Sequence, residues 1–279
     1  MDKAIILRRV MMKALMRYPG AKYRLADWII SFIPGHHTYV EPFFGSGAVL
    51  FNKDRSDIET VNDIDGNVVN LFKCVRDNPD ELARMVYAMP YARDVYDEAW
   101  EDKERDDISA AAAFLARSNM GYGFRTCRKS GFKIDVAGRE KGYAVNDWCG
   151  LPDRIMESAK RLMGVQIENR PAIEIIERFD RRDALIYCDP TYMHSVRTGG
   201  NQYSHEMSEE EHRELLEILT RHKGKVIISG YDSELYDNML AGWERHEAVS
   251  YTQSGEKRIE VIWMNYVKYG VQMNLFDMM

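Results

Sequence analysis

The chain has 279 residues, 45% of them hydrophobic, and is long enough to bury a full core as one large domain or a domain with an insertion. Its net charge of -6 argues against indiscriminate binding to polyanions, although a local basic patch remains compatible with it. Four widely spaced cysteines form no Cys-x-x-Cys pair, and residues 1–18 build no long apolar run. A zinc knuckle, a disulfide framework, a signal peptide and a membrane span are therefore not expected, and a reduced, cytoplasmic protein is.

Near the N-terminus, a tight turn precedes a stretch of helical length. The turn is Tyr18-Pro19-Gly20-Ala21-Lys22, and the amphipathic stretch covers residues 25–33. The pattern predicts a lysine held close to a helix start. Taken alone, it is equally an ordinary turn before an N-terminal helix.

The next segment predicts a strand that runs into a glycine-containing turn. Residues 38–40 favour a short strand, which continues into Glu41-Pro42-Phe43-Phe44-Gly45-Ser46-Gly47. The two glycines allow the backbone to approach a ligand closely, and the helix that follows offers free N–H groups. A dinucleotide fingerprint has a third glycine, but Leu50 occupies its place here.

An acid follows at the spacing that suits ribose recognition. A second strand ends just before Asp63, about 20 residues after the glycine turn, where a carboxylate reaches ribose hydroxyls. Strand, turn, helix, strand and acid together predict a ligand that carries adenosine. The spacing leaves open whether that ligand is a dinucleotide or S-adenosylmethionine.

Residues 117–141 reverse the acidic character of the chain. They contain seven basic residues against two acidic ones, with aromatic residues and glycines interleaved. In an acidic protein this segment is the best candidate for a surface that faces nucleic-acid phosphates, and an exposed loop with incidental charge is the alternative. The candidate contacts are Arg117, Arg125, Arg128, Lys129, Lys133 and Arg139.

The strongest motif follows the apolar run 185–188. That run predicts a strand buried on both faces of a parallel sheet, which places Asp189 at its carboxyl end, where ligands bind in open α/β sheets. Pro190 ends the strand and leaves its carbonyl free to accept a hydrogen bond, and Tyr192 adds a flat ring. This set suits a planar molecule with an amino group, such as a nucleobase. A strand ending in an Asp-Pro turn is the simpler alternative.

The C-terminal third continues with α/β character. Ser208 and Glu211 predict a capping box for a helix, and residues 225–229 predict another buried strand. Residues 249–251 and 261–267 favour an antiparallel pair. The sheet is expected to be mostly parallel with an antiparallel edge.

The ordered motifs resemble those of the Dam-like (D12 class) DNA adenine-N6 methyltransferases. The matching segments are Tyr18–Lys22, Glu41–Gly47, Asn62–Ile64, Asp189–Tyr192 and Glu206–Leu216. The resemblance implies a Rossmann-like, S-adenosylmethionine-dependent methyltransferase sheet with an inserted, mainly helical target-recognition domain. It places the catalytic domain at residues 1–75 and 165–270, and the DNA-binding insertion at residues 76–164.

The resemblance also implies roles for individual residues. Asp189 and the Pro190 carbonyl would accept hydrogens from adenine N6, and Tyr192 would stack on a base flipped out of the duplex. No metal is implied. The expected S-adenosylmethionine contacts are Tyr18, Gly20, Lys22, Glu41, Phe43, Gly45, Gly47, Asp63 and Asp189.

Two segments depart from the family pattern. Thr191 replaces the usual second proline of the Asp-Pro motif, and residues 169–172 lack the acid and aromatic that often lie beside the cofactor adenine. Alternatives remain open: a methyltransferase for RNA or cytosine N4, an inactive DNA-binding relative, and, more distantly, a nicotinamide dehydrogenase.

The C-terminal tail, residues 271–279, carries a separate motif. Gln272-Met273-Asn274-Leu275-Phe276 resembles the short segment by which bacterial DNA enzymes dock on the sliding clamp. A short apolar tail that folds back on the body is the alternative. The expected partners are thus duplex DNA and, through this motif, the sliding clamp, and the protein is expected to be a monomer.

Overall fold

The computed structural model describes residues 11–123, 128–136, 142–193, 203–251 and 257–268. Along these ranges, no helix has the length and apolar character that crossing a membrane requires. The elements, in chain order, are α1 (Ala26–Phe32), β1 (Thr38–Glu41), α2 (Ala48–Asn52), β2 (Ile58–Asn62), α3 (Gly66–Asp77), α4 (Pro79–Ala88), α5 (Arg93–Glu98), α6 (Asp107–Met120), α7 (Tyr143–Cys149), α8 (Leu151–Leu162), β3 (Val165–Glu168), α9 (Ala172–Arg178), β4 (Ala184–Cys188), α10 (Glu209–Arg221), β5 (Lys225–Tyr231), α11 (Glu234–Met239), β6 (Glu244–Tyr251) and β7 (Lys257–Met264).

The described strands form one sheet with the order β3-β2-β1-β4-β5-β7-β6. Neighbours from β3 to β5 pair in parallel, whereas β7 pairs antiparallel with both β5 and β6. The predicted mostly parallel sheet with an antiparallel edge is therefore confirmed. Its mixed α/β architecture is that expected of a Rossmann-like methyltransferase.

The chain order reverses between the two central strands. β1 lies between β2 and β4, with Val40 opposite Ile186, so consecutive strands run outward from this point in both directions. In open α/β sheets, the crevice outside the carboxyl ends of such strands binds ligands. The topology therefore brings the residues after β1, β2 and β4 to one crevice, and these include Glu41, Asp63 and Asp189.

Helices cover both faces of the sheet. Every residue of β4 is buried, and alternate side chains enter different apolar clusters, because successive strand residues point to opposite faces. Leu185 and Tyr187 join the cluster that includes α3 and α6, whereas Ile186 and Cys188 join the one that includes α9 and α10. The central strand is thus a rigid support for Asp189.

Helices α4 to α8 lie between β2 and β3 in the chain and pack against α3 and one another. Arginine side chains tie this helical part and α3 to the sheet. Arg161 on α8 makes two hydrogen bonds to the buried carboxylate of Glu59 on β2, at 2.6 and 2.8 Å. Arg76 on α3 also donates to the Val165 carbonyl at the start of β3.

A capping box fixes the start of α10, as the sequence predicts. The Ser208 hydroxyl accepts from the Glu211 backbone, and the Glu211 carboxylate accepts from the Ser208 backbone. Because α10 begins just beyond the Asp189 loop, this cap anchors one wall of the crevice.

Candidate active site

A cavity of about 780 Å³ opens at the carboxyl ends of β1, β2 and β4. The structure brings nearly all of the predicted cofactor residues to its wall. Gly47 is the exception: it supports the turn behind the lining residues. The predicted residues on the wall are Tyr18, Gly20, Lys22, Glu41, Phe43, Gly45, Asp63 and Asp189.

The glycine turn after β1 requires glycine for two reasons. Gly45 and Gly47 have φ angles of 50° and 69°, a left-handed conformation that other residues rarely adopt. A Cβ on Gly47 would also lie 2.6 Å from the Phe44 ring, which is too close for an ordinary contact. The turn therefore holds its backbone tightly against the cavity wall.

Asp63 holds that turn in place. Its carboxylate accepts hydrogen bonds from the Gly45 backbone N–H at 2.7 Å and the Asp65 N–H at 2.9 Å. Burial raises the pKa of Asp63 to about 6, although these two N–H groups act in the opposite direction. Part of the work of this acid is therefore structural.

Asp65 is a second acid on the cavity wall, and the sequence analysis missed it. Its Oδ1 caps α3 by accepting from the Asn67 N–H at 2.9 Å. Its Oδ2 is buried without a hydrogen-bond partner among the described residues. An unpaired buried carboxylate oxygen is costly and suits a ligand that donates a hydrogen bond. The available signal was a second acid two residues after Asp63.

Glu41 ends β1 with its side chain buried. Its carboxyl group accepts from the Tyr39 hydroxyl at 2.9 Å. Burial raises the pKa of Glu41 to about 8, although the Tyr39 hydrogen bond lowers it. Glu41 is therefore largely protonated at neutral pH.

Lys22 and Asp189 form an ion pair on the cavity wall. The lysine Nζ lies 2.9 Å from Asp189 Oδ1 and 4.7 Å from the centre of the Tyr192 ring. Burial alone would lower the pKa of Lys22, but the nearby carboxylates of Asp189 and Glu260 outweigh burial and raise it. Lys22 therefore remains a cation in contact with the residues predicted to be catalytic.

The loop after β4 is held by hydroxyl groups. Ser229 on β5 donates to Asp189 Oδ1 at 2.8 Å. Thr191 is half-buried, and its Oγ1 accepts from the Met207 N–H at 3.0 Å. A proline cannot make this contact, so Thr191 ties the loop to the segment before α10. Pro190 is buried directly after the strand, as expected.

Tyr192 is buried beside Asp189, and β7 supplies its main partner. Its hydroxyl donates to Glu260 Oε2 at 2.7 Å and lies 3.4 Å from Asp189 Oδ1. The Tyr231 ring meets the Tyr192 ring in an edge-on contact at 4.4 Å between centres. Sequence analysis missed Glu260, although an acid between Ile259 and Val261 in a buried strand was a usable signal.

The segment that begins at Tyr203 covers part of the cavity mouth. The Tyr203 ring packs edge-on against Tyr18, with 5.8 Å between the ring centres. A Cβ on Gly20 would lie 2.5 Å from the Tyr203 hydroxyl oxygen. Gly20 therefore lets this tyrosine approach the turn that carries Lys22.

The basic residues of segment 117–141 lie in different regions of the structure. Arg128 and Lys129 are exposed between Gly121 and Phe132, which pair as an isolated antiparallel bridge. Tyr96 anchors this hairpin, because its hydroxyl donates to the Ser130 carbonyl at 2.8 Å. Both cations remain exposed, and Lys129 also pairs with the exposed carboxylate of Asp97 at 2.8 Å.

The other predicted DNA contacts differ in position. Lys133 lies over the Tyr143 ring, with Nζ 4.7 Å from the ring centre. Arg117 packs over Trp100 and donates to Asn67, at the α3 end of the cavity, and so lies apart from the hairpin. Arg125 and Arg139 lie outside the described residues.

Comparisons with known proteins agree with this geometry. Residues 18–254 match the family model described as D12 class N6 adenine-specific DNA methyltransferase. The chain is also similar to the DNA N-6-adenine-methyltransferase of Escherichia phage P1, with 24% identity over 232 residues. That match covers 78% of this chain but 29% of the phage protein.

Bacterial relatives match over more of their own length. The DNA adenine methylase of Escherichia coli (strain K12) is 25% identical over 238 residues, which cover 80% of this chain and 82% of that protein. The DNA adenine methylase of Vibrio cholerae serotype O1 (strain ATCC 39541) is 26% identical over 194 residues, or 64% and 65% of the two chains. The similarity thus includes both the sheet and the helical part.

Proposed function

Because the chain belongs to the D12 class of N6 adenine-specific DNA methyltransferases, we propose that it transfers a methyl group from S-adenosylmethionine to adenine N6 in duplex DNA. The observation that carries this proposal is the position of Asp189. It ends the central strand, borders the cavity and lies beside the buried ring of Tyr192. A carboxylate beside an aromatic ring can bind the amino group of a planar base.

The cavity wall fits S-adenosylmethionine, which when bound supplies a methyl group on a cationic sulfur. Asp65 offers a buried carboxylate oxygen that no described residue pairs with, suited to a ribose hydroxyl. Glu41 can ionise against a cationic ligand, and Gly45 permits close approach of the backbone. Asp63 would support the ribose site both directly and through its hold on Gly45.

Asp189 and Tyr192 would orient the base. Adenine inside a duplex is out of reach, so the target base must be flipped into the cavity. The Asp189 carboxylate and the Pro190 carbonyl would accept the two N6 hydrogens, which aims the nitrogen lone pair. Positioning and charge complementarity then supply most of the rate. The amine loses its proton after attack, so a strong base is not required.

The direct test is transfer of labelled methyl from S-adenosylmethionine to unmethylated duplex DNA, followed by digestion to nucleosides. We expect label in N6-methyladenine, and a fall of about 100-fold or more in Asp189→Ala. Asp57→Ala is the control, because its carboxyl is exposed at the opposite end of β2. Label in N4-methylcytosine, transfer only to RNA, or no transfer would overturn the proposal.

The ribose assignment can be tested separately by calorimetry. Asp65→Asn should weaken S-adenosylmethionine binding about tenfold, because the amide offers a weaker acceptor at the same position. Asp63→Asn should weaken both binding and stability, because that side chain also holds the Gly45 turn. Unchanged affinity in Asp65→Asn would remove it from the ribose site.

We propose that residues 76–164 recognise DNA and that the hairpin around Arg128 and Lys129 contacts phosphates. Its support is the exposure of these cations next to the aromatic residues that anchor the hairpin. Replacing both with alanine should lower the slope of log affinity against log salt concentration by about 2. Lys133, Arg125 and Arg139 stay predicted contacts, whereas Arg117 is better placed to act near Asp65.

The clamp motif Gln272–Phe276 lies outside the described residues, and docking on a sliding clamp stays a proposal supported by sequence alone. A chain that ends at Val271 should lose binding to the clamp but retain methyl transfer. Equal binding by both chains would contradict it.

A further inference from the structure

The antiparallel edge of the sheet places an acid beside the predicted catalytic tyrosine. β7 pairs with β5, and Glu260 stands directly opposite Tyr231 in their register. Glu260 is only 9% exposed, and the residues that follow it in β7 are apolar and buried. A buried carboxylate on a strand needs a partner to offset the loss of its hydration. Here a principal partner is the hydroxyl of Tyr192.

The hydrogen bond to Glu260 sets the position of the Tyr192 ring. Its length is 2.7 Å, whereas the same hydroxyl lies 3.4 Å from Asp189. Burial and the Glu260 and Asp189 charges raise the pKa of Tyr192 well above its usual range, so the hydroxyl stays protonated and donates. A charge-assisted hydrogen bond in a buried site is both short and strong.

The surrounding contacts limit how the ring can turn. Tyr231 meets one edge of it, and Arg258 on β7 in turn donates to the Tyr231 hydroxyl at 2.8 Å. The Lys22 ammonium lies over the ring and is paired with Asp189. One ammonium is therefore paired with Asp189, lies over the Tyr192 ring and is also influenced by the charge of Glu260.

From these contacts we propose that Glu260 is a positioning residue for methyl transfer, acting through the Tyr192 hydroxyl to fix the ring beside Asp189. The inference rests on the proposed function for its effect on rate. A ring already held in place need not be ordered when the base arrives, which lowers the entropic barrier of the reaction. Loss of the carboxylate leaves the ring in its pocket without its anchor.

Kinetics of Glu260 variants supply the first test. The single-turnover rate of methylation should fall about tenfold in Glu260→Gln, which keeps an acceptor oxygen, and further in Glu260→Ala. Affinity for S-adenosylmethionine should stay within about twofold, because Glu260 is absent from the cavity lining. Glu247→Gln is the control: it removes a carboxylate from the neighbouring strand, where Glu247 pairs with Val261.

A double-mutant cycle with Tyr192→Phe separates positioning from a general effect of charge. Phenylalanine keeps the ring and removes the hydroxyl, so Glu260 has nothing left to hold. We expect Glu260→Gln to have less than about a threefold effect in the Tyr192→Phe background. Multiplicative effects of the two substitutions would show that Glu260 acts by another route and would overturn the proposal.

The position of the ring can also be measured without cofactor or DNA. Fluorine NMR of protein labelled with 3-fluorotyrosine gives a resonance for Tyr192, assigned by its loss in Tyr192→Phe. We expect this resonance to shift and broaden in Glu260→Gln and to stay unchanged in Glu247→Gln. An unchanged resonance in Glu260→Gln would contradict the positioning role of Glu260, even if the protein is an active methyltransferase. A shifted resonance in a protein that transfers no methyl would sink the proposed function alone.

Discussion

Buried acids lie at both ends of the central sheet, and their surroundings differ. At the amino end of β2, Glu59 accepts from the Lys53 Nζ at 2.5 Å and makes two hydrogen bonds with Arg161. Burial alone would raise the pKa of Glu59, but the hydrogen bonds from Arg161 and Lys53 outweigh it and lower the pKa. At the carboxyl end, the pKa values of Glu41 and Asp63 are raised to about 8 and about 6.

The difference separates acids that stabilise the fold from acids that are kept for a ligand. The Glu59 carboxylate has its charge fully balanced within the protein. Glu41 and Asp63 instead accept hydrogen bonds from a hydroxyl and from backbone N–H groups, and one Asp65 oxygen has no partner among the described residues. Buried groups with shifted pKa values that border a cavity are typical of functional sites. Buried acidic residues about one strand length apart thus have two different roles: one stabilises the fold, and the others face the ligand cavity.

Removal of Glu59 should give the largest loss of stability. Glu59→Gln leaves Lys53 and Arg161 buried without a balancing charge, and we expect unfolding to need about 3–5 kcal/mol less free energy. Urea denaturation measures this. Glu157→Gln on the exposed face of α8 is the control, with an expected change within about 0.5 kcal/mol. A loss below about 1 kcal/mol would mean that the acids at the two ends are equivalent.

Glu41→Gln should have the opposite effect to Glu59→Gln: stability should hardly change, and ligand affinity should fall. Because burial already keeps Glu41 largely protonated, a neutral amide should change the free energy of unfolding by less than about 1 kcal/mol. Affinity for S-adenosylmethionine should instead fall about 10-fold to 100-fold, since a carboxylate that can face a cation is lost. Urea denaturation and calorimetry on one preparation give both numbers. A variant that unfolds easily yet binds normally would reverse the assignment.

Much of this carboxyl-end site was predictable from the sequence, and the reasons are local. Gly45, Asp63 and Asp189 each follow a short strand, and the ends of parallel strands meet at one edge of the sheet. The role of Thr191, which departs from the family motif, was not predictable in this way. Its hydroxyl has a partner in the Met207 N–H, which depends on how the loop folds.

Residues that act through long-range contacts were not predictable in the same way. Glu260 lies 68 positions after Tyr192 in the chain, and only the antiparallel return of β7 brings the two together. Arg117 shows the converse: its charge placed it among the DNA contacts, but α6 directs it toward Trp100 and Asn67. Sequence patterns identify strand ends, whereas pairing across the sheet and packing between helices need the three-dimensional fold.

The pH dependence of cofactor binding would sharpen the comparison further. Glu41 and Asp63 carry protons below about pH 8 and about pH 6, and a cationic ligand favours their ionised forms. Binding should therefore release protons, and affinity should rise by up to about tenfold per pH unit for each group, below about pH 6 for Asp63 and up to about pH 8 for Glu41. Calorimetry at pH 6, 7 and 8 measures this.

The wild-type affinity is best compared with that of Glu41→Gln at each pH, because the titration of the ligand itself cancels in the ratio. The advantage of the wild type should grow from pH 6 to pH 8. A ratio that stays constant over this range would mean that Glu41 does not change its protonation when the ligand binds.

The smallest effect is expected at Tyr39, which contacts Glu41 at the carboxyl end and Lys53, the partner of Glu59, at the amino end. Its ring lies under Lys53, whose Nζ is 4.3 Å from the ring centre, and its hydroxyl donates to Glu41. Tyr39→Phe keeps the ring and removes the hydroxyl, so the pKa of Glu41 should rise further. Affinity for S-adenosylmethionine at pH 8 should then fall about threefold to tenfold, the value of one hydrogen bond.

The amino end should be unaffected by this substitution. The free energy of unfolding should therefore change about as much as in Tyr266→Phe, which loses one hydroxyl contact to the Phe32 carbonyl. If Tyr39→Phe lowered stability as much as Glu59→Gln and left binding intact, the two groups of acids would be one coupled network. If affinity for S-adenosylmethionine falls while the free energy of unfolding changes only as much as in Tyr266→Phe, the Tyr39 hydroxyl acts on Glu41 alone. The contact between the ring and Lys53 is then kept in Tyr39→Phe.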